Sequence, residues 1–227
     1  MVMNPPASVR RGVVARLSAA LPLLLMLAAG GAGAGTSDGA SIIFRKIFKS
    51  SYPEFVEIKI EQSGAGTYDI RQLDEESNPS QFEIGRDLTK RIFDLAAKLR
   101  NFQGLDLDVH RRIANLGEKT FRYEKSGNSS EVKFNYTLDD SATQLLNIFE
   151  GLSRQESDLS NLQRVMRYDR LGVNDAVRQL ETDYNENLLP EPERLLPSLD
   201  RVALDSAYID IARQRARGLA AKIRGPH

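Results

Sequence analysis

The chain has 227 residues, 41% of them hydrophobic and 27% charged, with 31 basic residues against 31 acidic ones. That composition supports a packed core and excludes a disordered chain, while the balanced charge gives no electrostatic case for nucleic acid as a partner. Cysteine is absent, which excludes disulfides, thiolate nucleophiles and cysteine-held metals, and the lack of tryptophan counts against a carbohydrate-binding platform.

At the N-terminus, Arg10, Arg11 and Arg16 precede an apolar run of thirteen residues, Leu17 to Ala29, and small residues follow up to Ala32-Gly33-Ala34. The run is too short for the roughly 20 apolar residues that cross a hydrocarbon layer. A basic stretch, a short apolar core and an A-x-A site predict a cleavable signal peptide over 1–34, cut near Ala34, with an uncleaved anchor as the alternative. Exported chains without disulfides point to a bacterial periplasmic or secreted protein. Removing 1–34 takes three arginines and no acids, so 193 residues remain with 28 basic against 31 acidic, a net charge of −3 and no stable membrane span.

Residues 35–52 form an N-terminal segment in which Ile42, Ile43, Phe44, Ile47 and Phe48 are too apolar for a linker, and which is read as a docking strand or helix. In FVEIKIEQ, Val56, Ile58 and Ile60 alternate with charged residues, and after the Ser63–Gly66 turn Tyr68 and Ile70 resume the alternation, predicting a hairpin. Phe82 and Ile84 mark a third short extended piece. From Asp87 to Phe102, Leu88, Ile92, Leu95, Ala96, Leu99 and Phe102 recur at three- and four-residue spacing, an amphipathic helix with Gly104 past its end. A loop containing LDLDVHRRIANLG leads to KTFRYEK and EVKFNYTL, a second hairpin around Ser126-Gly127-Asn128.

Two hairpins flanking a helix predict an α+β domain over 53–138, with an antiparallel sheet of four to five strands. Residues 139–227 predict an α-helical C-terminal region of about three helices. Asp139-Asp140-Ser141 caps a long helix whose start lies on the sheet and whose RQESDLSNLQR stretch is too polar to be buried all round. A shorter helix follows from Val173 to Tyr184, Pro190 and Pro192 stiffen the connection, and a last helix runs from about Pro197 to Arg224. The two hairpins share only a Ser-Gly turn, which common secondary structure explains without duplication.

Chemistry is sparsely marked. Asp106, Asp108 and His110 alternate in LDLDVH, so an extended backbone points all three the same way, where they could hold a divalent ion or orient the histidine as a base. The mature chain's other histidine is the terminal His227, so this arrangement nominates no complete metal site, and no cofactor is expected. Phosphate-binding glycine loops are absent, and Asp74-Glu75-Glu76 lacks the frame of a calcium loop. Arg213, Arg217 and Arg224 give the last helix a basic end, which either complements its dipole or contacts anionic lipid or an acidic partner. The leading expectation is a non-catalytic adaptor or inhibitor-type protein that binds another envelope protein, as a monomer or a coiled-coil dimer. The alternative is a carboxylate-dependent hydrolase or small-ligand binder using the 106–110 loop. The solvated sheet face carrying Glu57, Lys59, Arg71, Arg122 and Lys133 offers a further binding surface.

Overall fold

The computed structural model describes residues 39–225. The signal peptide expected over 1–34, its cut near Ala34, and His227 lie outside the described residues. Six strands, β1 (Ser41–Ile47), β2 (Phe55–Glu61), β3 (Ala65–Arg71), β4 (Ser80–Glu83), β5 (Glu118–Lys125) and β6 (Asn128–Phe134), form one antiparallel sheet in the order β4-β3-β2-β1-β5-β6. The strand beyond the expected four to five is β1, from the segment read as a docking strand or helix. It is the centre of the sheet, pairing Phe44 with Ile58 of β2 on one side and with Phe121 of β5 on the other. Apolar residues at successive positions suit a strand with neighbours on both sides, and that blurs the period-two pattern by which strands are recognised.

One face of the sheet is buried. Ile42, Phe44, Val56, Ile58, Ile60, Phe82, Phe121, Val132 and Phe134 meet α1 (Arg86–Lys98) and the first half of α2 (Asp140–Tyr168) through Ile92, Leu95, Leu145, Phe149 and Leu152. Phe121 is the hub, with the rings of Phe44, Phe102, Phe134 and Phe149 between 5.3 and 6.2 Å away. The Asp139 side chain accepts from the Ala142 backbone N at 2.8 Å and caps α2 as its position suggests. Between α1 and β5 the chain turns through Arg100, Asn101 and Phe102, all with positive φ. Phe102, fully buried and stacked on Phe121, and a bond from Ser130 Oγ to the Asn101 carbonyl at 2.5 Å hold that left-handed turn.

The second half of α2 leaves the sheet. Leu159, Leu162 and Val165 pack in a second core against α3 (Val173–Asn185), the 3₁₀ turn Pro192–Leu195, α4 (Leu196–Leu204) and α5 (Asp210–Arg224). The single last helix expected from Pro197 to Arg224 is two helices. Asp205 accepts from the backbone N of Ala207 at 2.9 Å, a side-chain bond that competes with helix continuation, and Tyr208 turns inward. Gly151 lets the 188–190 connection cross α2 closely, since a Cβ there would sit 2.7 Å from Pro190 Cγ and 2.9 Å from the Leu188 carbonyl. Among the described residues no helix is long and apolar enough to cross a membrane.

Candidate functional site

Where α2 passes from one core to the other, polar side chains are buried at its waist. Gln155 exchanges two hydrogen bonds with the Glu191 backbone, at 3.0 and 3.1 Å, and the Glu156 carboxylate accepts from both terminal nitrogens of Arg194. Arg194 also lies over the Phe82 ring, and the Glu191 carboxylate accepts from the backbone N of Gly85 at the start of α1. The connection 190–194 is thereby fastened to the sheet, to α1 and to α2 together. A buried polar network of this kind is favourable only because nearly every member has a partner.

One member is different. Asp183 on α3 is 1% exposed, accepts from Gln179 Nε2 at 3.1 Å, and lies 3.5 Å from Arg154. Facing it is Asp158 on α2, whose buried Oδ2 receives no hydrogen bond from any donor group. Burial first, then the hydrogen bond to the Asp183 carboxylate and its charge, push the Asp158 pKa up to about 7, against a weaker pull from Arg154. Two carboxylates facing each other cannot both ionise cheaply, so the fold favours the protonated form of Asp158.

Asp158 also lies in the wall of a groove. Two adjoining clefts of about 680 and 390 Å³ share Tyr52, Pro53, Ser157 and Asp158. Tyr68, Ile70, Gln72, Ser160, Asn161 and Arg164 extend the larger one, while Lys46, Phe48 and Glu150 extend the smaller. The rim carrying Tyr52 is fixed. Glu54 accepts from the backbone N of Ser50 at 2.6 Å and from that of Leu73 at 3.3 Å, and the backbone N of Phe48 donates to the Glu54 carbonyl at 2.8 Å. Tyr52 itself is 92% exposed. Tyr68 Oη and Ser160 Oγ are 3.0 Å apart, closing the floor between β3 and α2. Most charges around the groove are matched internally, Lys46 to Glu150 at 2.7 Å and Arg71 to Asp69 at 3.0 Å.

No family model matches the chain, and no curated protein matches it at a significant level.

The residues nominated by sequence lie elsewhere. Asp106 and His110 pair at 2.6 Å on an exposed loop, and that hydrogen bond raises the histidine pKa and lowers that of the aspartate. Asp108 does not join them: His110 has φ +50, which breaks the extended backbone that alternation presumed, and the Asp108 carboxylate turns to the Asn135 backbone N at 3.4 Å. None of the three lines either cleft of the groove. Among the described residues no group of three or more acidic or histidine side chains could hold a metal ion. On α5, Arg213 pairs with Asp210, Arg217 donates to the Ala203 carbonyl at 3.0 Å, and Arg224 pairs with Asp200 at 2.6 Å. Arg215 and Lys222 both bind Glu181. The basic end of the chain is thus spent on joining α5 to α3 and α4.

On the solvated sheet face Arg45 bonds Glu57 and Lys133 faces Glu118, the cross-strand pairing of an ordinary wet surface. Sequence reasoning passed over Asp158, Asp183, Gln155 and Glu156. A signal was present: Asp183 follows Val173, Ala176, Val177 and Leu180 at helical spacing, so the apolar stripe of α3 ends in a carboxylate on the buried face.

Proposed function

We propose that the chain is an exported, non-catalytic binding protein of the bacterial cell envelope, of adaptor or inhibitor type, and that the groove between residues 48–54, β3 and α2 takes an extended peptide segment of its partner. The observation that carries this reading is the pairing, in one groove, of an aromatic projecting from a bonded rim with polar side chains that have no partner of their own. Tyr52 stands in solvent on a bonded rim, and the Ser157 hydroxyl and the Gln72 amide make no side-chain hydrogen bond among the described residues. Rigid aromatics with adaptable hydroxyls and amides suit main-chain amides well, because they bury area at low entropy cost. The test is selection from a displayed library of random peptides by the chain, by Tyr52→Ala and by Ser157→Arg. Enrichment by the unmodified chain that both substitutions remove supports the reading, while enrichment that survives Ser157→Arg refutes the groove as the site.

A second reading has one observation in its favour. A groove carboxyl that titrates near neutrality is suited to general acid catalysis, so carboxylate-dependent hydrolysis would rest on Asp158 rather than on the 106–110 loop. Asp158→Asn separates the two: a hydrolase loses turnover, whereas a binding protein keeps its selected peptides.

A further inference from the structure

The end of the helical region, just past the groove along α2, is apolar and basic at once. Tyr168 and Leu171 stand at the α2–α3 turn and are 79% and 75% exposed, and Leu204 at the end of α4 is 82% exposed. Ile209 and Ile211, also exposed, begin α5. The two turns form one surface, because the buried Tyr208 of the α4–α5 turn donates from its hydroxyl to the Met166 carbonyl of α2 at 3.2 Å. Soluble chains seldom gather this many large apolar side chains in solvent without use for them.

Charge decides what fits the surface. Arg167 and Arg170 flank Tyr168, and Arg201 lies one turn before Leu204; none of the three makes an ion pair or side-chain hydrogen bond among the described residues. Of the neighbouring acids, Asp210 and Asp200 are paired with Arg213 and Arg224, while Asp169 and Asp205 accept only from backbone N–H groups among the described residues, of Gly172 at 3.1 Å and of Ala207 at 2.9 Å, so the three arginines outnumber the unpaired acids by one. On α5, Arg213, Arg215, Lys222 and Arg224 are ion-paired within the fold, whereas the three arginines at this end are not.

We propose that this end is a docking face for an anionic lipid surface. Leu171, Leu204 and Ile211 enter the headgroup boundary, Tyr168 sits at the interface where its ring and hydroxyl are both satisfied, and Arg167, Arg170 and Arg201 meet lipid phosphates. The contact is peripheral and does not depend on what the groove binds.

Because the chain contains no cysteine, one introduced thiol can be labelled cleanly. The full chain carrying Leu204→Cys with an environment-sensitive fluorophore is titrated with phosphatidylglycerol-containing vesicles and with phosphatidylcholine vesicles, beside Ser129→Cys at the exposed start of β6. A blue shift at position 204 alone, on anionic vesicles alone, is expected. Joint substitution Arg167→Gln, Arg170→Gln and Arg201→Gln should weaken it by about tenfold or more, as should high salt. The proposal is overturned by equal shifts at both positions, which would mean adsorption through another segment. Equal shifts on neutral vesicles overturn it too, and so does a shift that grows with protein concentration without lipid, which would mean that a second copy covers the face.

Discussion

Replacing Asp158 with asparagine tests the favoured proton directly. In the unfolded chain an aspartate titrates near 4, and in the fold Asp158 titrates at about 7, so folding raises its affinity for a proton. The stabilisation is complete below about pH 4 and is lost as pH rises through about 7, because above that point Asp158 and Asp183 both carry charge across a contact only Arg154 and Gln179 relieve. Three pK units correspond to a ceiling of about 4 kcal/mol. Asp158 is only partly buried, so solvent screening brings the expected value to about 1–2 kcal/mol. Asparagine keeps the shape, never ionises, and offers Asp183 an amide donor. Urea denaturation of both proteins, followed by circular dichroism at about pH 5 and about pH 8.5, should show the variant gaining about 1–2 kcal/mol on the unmodified chain between the two conditions. Other titrating groups are common to both proteins and cancel in the comparison. Parallel pH dependence of the two would refute the preference for a protonated Asp158.

Other substitutions probe the remaining parts of the fold. Lys119 is buried on the sheet and donates to the carbonyls of Leu116, Gly117 and Asn135 at 2.8–3.2 Å, so Lys119→Met should cost about 2–3 kcal/mol by leaving them without a donor, read from denaturant midpoints. Phe121→Ala empties the centre of a five-ring cluster and should cost about 3–5 kcal/mol, with loss of near-ultraviolet dichroism at lower temperature. Arg100→Gly removes a side chain from a left-handed backbone position and should raise stability by up to about 1 kcal/mol in the same assay. Gly151→Ala forces α2 away from the 188–190 connection and should cost about 1–3 kcal/mol, with Gly218→Ala, which meets open space, as the control.

The sheet's buried face was legible because period-two alternation survives wherever one side meets water: Val56, Ile58, Ile60, Tyr68, Ile70, Phe121, Val132 and Phe134 all face the helices. β1 was harder, since Ile42, Ile43 and Phe44 in succession satisfy a strand, a buried helix turn or a docking peptide equally well. The break at Asp205 went unheeded because the stripe on either side of it is continuous in register, with Ser206 counted as part of it, and a side-chain bond within a turn leaves no trace in periodicity. The 106–110 loop failed for a related reason: alternation fixes direction only while the backbone is extended, and His110 is not.

The groove was half visible. RQESDLSNLQR was recognisably too polar for a helix buried all round, and the structure shows why a helix can carry it: this is the stretch where α2 has left one core and is entering the other. The further step, that Gln155, Glu156 and Asp183 are buried there and Asp158 half-buried beside them, depends on a connection 36 to 38 residues away folding back onto the helix. A helix that serves two cores leaves its polar waist between them, and any surface between them is lined by groups selected for hydrogen bonding rather than for packing. That places the groove at the junction and makes Asp158, shared between wall and core, the residue at which ligand binding and fold stability would be coupled.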